Sequence, residues 1–264
     1  MTDDILSSLT DQPAPQFVEV GEGVALAAYS WGELDAPTVV LVHGFASSTA
    51  DTWVHTGWTR MLKKEGYRIL GIDLRGHGAS EKPHDGAGYA VKSLAHDVEA
   101  VMETFLVDEA FYVGYSLGAR VGWQLLQDLD DRIPRAVLGG VPDGIPLDEF
   151  ADEQVYRYAD DGVPVTDPGT KAYVDLAERV SGNDLRALVA LAKGQRDSPA
   201  ISAEHAPQQP VLFATGSEDP VLEGSRTVAS YAPQGTFFEI PGRHHFNAPG
   251  SKDFRRAALE FLRA

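Results

Sequence analysis

The sequence predicts an α/β protein: a mostly parallel sheet of eight strands with helices on both faces. Three observations lead there. Eight apolar runs bounded by turn residues recur along the chain, at 17–20, 24–30, 38–42, 67–72, 110–113, 135–141, 211–214 and 236–240. Several are almost continuously apolar, as strands covered on both faces are. Stretches of helical periodicity separate the later runs, which makes their connections parallel crossovers.

The elements follow in order. The first two runs have no helix between them, and Glu22-Gly23 supplies a hairpin turn, so the chain opens antiparallel. After the third run, Val54, Trp58, Met61 and Leu62 mark a short helix face. After the fourth, Leu94, Val98, Val101, Met102 and Phe105 recur at helical spacing over a longer one. A helix carrying Ala119, Val121, Leu125 and Leu126 follows the fifth run. The last helix starts near Ser251 and Asp253, an N-cap type of start, and ends on Leu259, Phe261 and Leu262. Between 142 and 209 the alternation stops. That segment is rich in Asp, Pro and Gly, holds 13 acidic and 6 basic residues, and has short helical pieces near 173–180 and 185–191. Connections this long usually carry a lid or a binding role. The expectation is one domain over 1–264 with 142–209 inserted as a small helical lid.

Composition narrows the functions. With 43% hydrophobic residues the chain builds a sizeable core, so disorder is excluded. It has no cysteine, which excludes disulfides, thiolate metal sites and a cysteine nucleophile. The 22 basic residues against 39 acidic ones give a formal charge of −17. That leaves no basic footprint for nucleic acid and none for an anionic membrane surface. The acidic stretch 1–15 shows no basic-then-apolar leader, and no apolar run approaches membrane-spanning length, so a soluble cytoplasmic protein is expected.

The chemistry is carried by Gly114-Tyr115-Ser116-Leu117-Gly118, a G-x-S-x-G pattern between a strand run and a helix. Strand, tight turn and helix are the context of a nucleophile elbow. The turn lifts the serine hydroxyl clear of the sheet and puts the Leu117 N–H at a helix start, where a developing oxyanion is favoured. A glycine-rich nucleotide-binding turn fits poorly, because neither G-x-x-x-x-G-K-[ST] nor G-x-G-x-x-G is present.

Four motifs together resemble the α/β-hydrolase fold superfamily, in its serine esterase and lipase-like branch with a short helical cap. Leu41-Val42-His43-Gly44-Phe45 resembles its oxyanion segment, and Asp73-Leu74-Arg75-Gly76-His77-Gly78-Ala79-Ser80 resembles its D-x-R-G-x-G-x-S loop. The elbow is the third. Ala214-Thr215-Gly216-Ser217-Glu218-Asp219-Pro220 with Pro241-Gly242-Arg243-His244-His245-Phe246 resembles its acid and histidine loops, in the chain order serine, aspartate, histidine. The resemblance implies a triad of Ser116 as nucleophile, His245 as base and Asp219 as its orienting carboxylate. His244 and Asp143 are the alternatives for the last two. It implies an oxyanion hole of the Phe45 and Leu117 backbone N–H groups, with Tyr115 and Trp53 as pocket residues. Asp73, Arg75 and His77 read as loop braces and His43 as a strut; no metal site and no cofactor is implied.

The expected function is hydrolysis of a carboxylic ester, lactone or thioester of a small to medium molecule through an acyl-enzyme. The acidic lid favours a neutral substrate over an anionic one. Carbon–carbon bond hydrolysis and perhydrolysis use the same triad and remain alternatives. A ligand receptor with slow or no turnover is the alternative of another class. The fold's haloalkane dehalogenases and epoxide hydrolases put aspartate at the elbow, and Ser116 counts against both.

Overall fold

The computed structural model describes residues 12–145 and 147–264. Most of the N-terminal stretch read above for a leader, 1–11, therefore lies outside the described residues. Eight strands form one sheet: β1 (Gln16–Val20), β2 (Val24–Trp31), β3 (Thr38–Val42), β4 (Arg68–Ile72), β5 (Phe111–Tyr115), β6 (Ala136–Gly139), β7 (Val211–Gly216) and β8 (Gly235–Ile240). Their order across the sheet is β1-β2-β4-β3-β5-β6-β7-β8. Pairings of β2 with β1 and β4 are antiparallel, and every other pairing is parallel. The turn between β1 and β2 is a short 3-10 segment, Gly21–Gly23, closed by Gly23 at φ +71°.

The continuous apolar runs are explained by what each face touches. In β3, Val40 and Val42 point into one core, while Val39 and Leu41 point into another. The first core is closed by helices α2 (Val91–Thr104), α3 (Leu117–Asp128) and α7 (Leu222–Tyr231). The second is closed by α1 (Trp58–Lys64) and α8 (Lys252–Arg263), through Trp58, Leu62, Phe254, Ala258 and Leu262. α8 is well started: the Ser251 hydroxyl accepts the Phe254 N–H at 3.4 Å, as the N-cap reading expects.

Between β6 and β7 lie α4 (Asp152–Asp161), α5 (Pro168–Arg179) and α6 (Leu185–Arg196). Asp167 and Asp184 cap α5 and α6 by accepting backbone N–H groups of their first turns. α6 is more deeply packed than its polar flanks suggest, with Ala187 to Ala192 all buried. Arg120 of α3 holds both ends of this insertion, donating to Gly144 O at 3.4 Å and to Pro199 O at 2.5 Å. Burial lowers its guanidinium pKa to about 10.

One expectation about the first helix is displaced. Trp58, Met61 and Leu62 do lie in α1, but Val54 ends a separate π-helical turn, Ala50–Val54. Gly57, at φ +85°, breaks the two apart.

Candidate active site

Ser116 ends the turn between β5 and α3 with φ +53° and ψ −109°, a strained conformation for a residue that bears a Cβ. Its glycine neighbours are required by close approach. A Cβ on Gly114 would lie 2.3 Å from Gly118 O, and one on Gly118 would lie 2.1 Å from Val42 O. The elbow can therefore close only with glycine at both flanks, and closing it seats α3 against the end of β3.

Three loops meet at this serine. His245 Nε2 lies 2.9 Å from Ser116 Oγ, and His245 Nδ1 lies 2.8 Å from Asp219 Oδ2. The Asp219 side chain has no exposure and that of His245 only 13%, so the pair acts in a site of reduced water access. The second carboxylate oxygen, Oδ1, accepts the Val221 N–H at 3.0 Å. A carboxylate only accepts, so Nδ1 carries the ring proton and Nε2 turns a lone pair to the serine hydroxyl. The Tyr115 hydroxyl donates to His245 O at 2.7 Å and fixes the histidine loop from below. His244 is exposed and turns away, its Nδ1 accepting the Phe246 N–H at 3.3 Å. Asp143 is also exposed and lies against Gly224 of α7.

The Phe45 and Leu117 N–H groups have no hydrogen-bond partner among the described residues. Gly44 brings the two segments together, since a Cβ there would sit 3.3 Å from Ser116 Cβ. The loop bearing Phe45 is braced from beneath. His43 donates from Nδ1 to Gly44 O at 2.8 Å and accepts the Leu74 N–H at Nε2, 3.1 Å. His77 accepts the Ala46 N–H at Nε2, 3.0 Å, and faces Arg75 O through Nδ1 at 3.1 Å. Burial pushes both imidazoles below the usual histidine range, His77 further because His43 adjoins it. Asp73 accepts the Thr49 N–H at 2.7 Å and the Ala79 N–H at 3.0 Å. Arg75 forms a buried two-pronged pair with Asp97, at 2.6 and 2.8 Å. Asn183, between α5 and α6, donates to Ala46 O at 2.8 Å and accepts the Gly78 N–H at 3.0 Å. Ala46, at φ +61°, is thus gripped on its N–H by the core and on its carbonyl by the insertion.

Two cavities flank Ser116. One, of about 320 Å³, runs along the histidine loop past Tyr115, Arg243 and Asn247. The other, of about 610 Å³, lies under the insertion and is edged by Asp148, Glu149 and Asp167. Ser116, Phe45, Tyr173 and His245 line both. Tyr173 of α5 stacks edge-on against Phe45 at 5.2 Å and Phe246 at 5.4 Å, a bar of rings that divides the two spaces. No motif marks Tyr173 or Asn183 in the sequence, which is why sequence reasoning passed over them.

Tyr115 stands in the pocket wall as expected, but Trp53 does not. Its indole is fully buried in the second core, stacked at 5.2 Å on Trp58. The π-helical turn points it down against the sheet and α8 instead of up beside Phe45. Among the described residues no three His, Asp or Glu side chains converge as a metal site requires, and no helix is long and apolar enough to cross a membrane.

The sheet order, the strained serine elbow and the histidine loop are those of an α/β hydrolase. The family described as alpha/beta hydrolase fold matches residues 37–162. The chain has the α/β-hydrolase fold. It is 33% identical over 150 residues to a bifunctional esterase/perhydrolase of Acinetobacter calcoaceticus, covering 52% of each chain. It is 32% identical over 161 residues to epoxide hydrolase B of Mycobacterium tuberculosis, covering 59% of this chain and 44% of that one. The chain thus spans about half the length of these curated relatives. Among solved structures, the enol-lactonase of Burkholderia xenovorans LB400 superposes with a TM-score of 0.77 at 21% identity, covering 94% of this chain and all of that one. A thermophilic esterase of Thermogutta terrifontis gives 0.76 at 20% identity, covering 95% of this chain and 98% of that one. At such identities these two structures speak for the fold alone.

Proposed function

We propose that this chain is a serine hydrolase that cleaves a carboxylic ester, lactone or thioester of a small to medium, uncharged molecule. The observation that carries the reading is His245, bridging Ser116 at 2.9 Å and the buried Asp219 at 2.8 Å. In this reading Ser116 attacks the carbonyl carbon while His245 takes its proton. The Phe45 and Leu117 N–H groups receive the oxyanion. His245 then protonates the departing alcohol, and water admitted by the same base releases the acid. The chain acts as one domain with 142–209 as its lid, in a soluble cytoplasmic setting, with neither nucleic acid nor membrane as partner. The carboxylates edging the larger cavity support a neutral substrate over an anionic one.

Perhydrolysis is the second reading, favoured by the likeness to a bifunctional esterase/perhydrolase. It differs only in hydrogen peroxide replacing water at the acyl-enzyme. Epoxide hydrolysis is disfavoured, despite the similar epoxide hydrolases, by a serine where those of this fold carry aspartate. The test is a fluorophosphonate probe followed by mass spectrometry of the adduct. Labelling of Ser116, abolished in Ser116→Ala, supports the reading; labelling elsewhere, or full ester turnover by a folded Ser116→Ala, overturns it.

A further inference from the structure

The peptide that bears the Phe45 N–H is fixed through its own carbonyl. That carbonyl, Gly44 O, accepts His43 Nδ1 at 2.8 Å and the Ser47 N–H at 3.3 Å. The Ser47 N–H shares a planar peptide with Ala46 O, so whatever holds Ala46 O also aims that N–H. Asn183 holds it, donating from Nδ2 at 2.8 Å. A chain of rigid units therefore runs from the Asn183 amide, through the Ala46–Ser47 peptide, to the peptide of Phe45. The grip has something to resist. Ala46 bears a Cβ at φ +61°, a conformation that persists only where its surroundings enforce it.

The neighbours of Asn183 leave its amide little freedom. Gly182, at φ +86°, passes so close to the loop after β4 that a Cβ there would lie 2.5 Å from Gly78 O. Asp184 caps α6 by accepting the Arg186 and Ala187 N–H groups at 2.8 and 3.2 Å. Between them, Asn183 accepts the Gly78 N–H at Oδ1, 3.0 Å, which turns Nδ2 to Ala46 O. One N–H and one carbonyl as partners fix which way the amide faces. Asn183 lines neither cavity beside Ser116, so it acts on the loop and not on a substrate.

We infer that Asn183 is a positioning residue of the reaction: the insertion delivers its amide to Ala46, and that contact keeps the Phe45 N–H aimed at the reacting carbonyl oxygen. The inference rests on the serine-hydrolase reading above, in which that N–H receives the oxyanion. His43 and His77 brace the same loop from the core, whereas Asn183 braces it from the insertion. The aim of the donor therefore depends on the insertion being seated.

The test compares Asn183→Asp with Asn183→Ala. Aspartate is isosteric and still accepts the Gly78 N–H, but its carboxylate has no proton for Ala46 O; alanine loses both bonds. Each is assayed with p-nitrophenyl butyrate and with butyl trifluoromethyl ketone. Ser116 Oγ adds to the carbonyl carbon of that ketone and leaves an oxyanion where the transition state has one. One neutral hydrogen bond biases a loop by about 3- to 10-fold, short of the roughly 10²- to 10³-fold that losing a whole oxyanion donor costs. Both variants should therefore show kcat lower by about 3- to 10-fold, KM within about twofold, and ketone affinity reduced by the same factor as kcat. In Asn183→Ala the pH dependence of kcat should keep the parent's midpoint, since the triad is untouched. A merely structural role would lower the melting temperature without tying ketone affinity to kcat. Parental kcat and ketone affinity in Asn183→Asp, or a loss of kcat with ketone affinity unchanged, would overturn the inference. Labelling of Ser116 by the fluorophosphonate in the parent would then keep the hydrolase reading. If the parent takes no label and turns over no ester, the reading falls and takes this inference with it.

Discussion

Replacing Asp219 with asparagine probes the site at its most determined point. The side chains are isosteric, so the fold should be unchanged. The carboxamide, however, has one acceptor and one donor end. The Val221 N–H, 3.0 Å from Oδ1, demands the acceptor. The NH2 group then faces His245 Nδ1 across the present 2.8 Å. Nδ1 must accept, the ring proton moves to Nε2, and Nε2 can no longer take the proton of Ser116. Flipping the amide restores the tautomer but sets two donors against each other in a fully buried place, at a cost of about 1–3 kcal/mol. Even the flipped form lacks the negative charge that steadies the imidazolium, a further loss of about 1.5–3 kcal/mol. Together these give roughly 3–6 kcal/mol, or a fall of about 10²- to 10⁴-fold in kcat. The assay is steady-state hydrolysis of p-nitrophenyl butyrate beside thermal melting of the same preparation. A melting temperature like the parent's with less than a tenfold loss would show that Asp219 does not orient the base.

Other expectations follow from the same geometry. His245→Ala should abolish ester turnover, while His244→Ala, at an exposed residue, should stay within about threefold of the parent; equal losses in a steady-state assay would mean the wrong histidine was chosen. Gly118→Ala forces a Cβ to 2.1 Å from Val42 O and should cost several kcal/mol or prevent folding, whereas Gly21→Ala, with nothing within 4 Å, should leave the melting temperature within a degree or two. A Gly118→Ala protein with parental melting and activity would contradict the close-approach argument. Burial lowers the pKa of His43 and holds that of His77 well below the usual histidine range in the fold, whereas both titrate normally when unfolded. Their stabilisation is complete above about pH 6.5 and is lost as pH falls below it, by up to about 1.4 kcal/mol per pH unit for His77. In His77→Gln, whose carbonyl oxygen can still accept the Ala46 N–H, urea unfolding from pH 7 to 5 should lose that share of the slope; an unchanged slope would refute the assignment.

Much of this was legible in the sequence because its signals are covalent necessities. Glycines at 114 and 118 exist because no other residue fits, and Ser116, Asp219 and His245 are named by chemistry that few side chains can do. The sheet was legible for a similar reason: a strand buried on both faces has no polar alternative, as β3 shows. The insertion was legible only as a region. Tyr173 and Asn183 reach the cavities and the Phe45 loop, respectively, through where the insertion places them, and nothing in their local sequence states that placement. Trp53 failed for the opposite reason. Nearness in sequence to Phe45 suggested nearness in the pocket, but one π-helical turn sends its indole to the far side of the loop. Local pattern carries no information on which way such a turn faces.

Asn183 has a consequence for how interchangeable the parts of this fold are. Its amide joins the insertion to the loop that carries Phe45, on the carbonyl of Ala46, and to the loop after β4, on the Gly78 N–H. A cap from another hydrolase, grafted at the two points where Arg120 grips the chain, would keep its footing yet leave Ala46 O and the Gly78 N–H without their shared partner. The donor loop would loosen although no residue in it had changed. In this protein the insertion is a component of the loop that carries Phe45, and any transplant has to carry an amide at that one position.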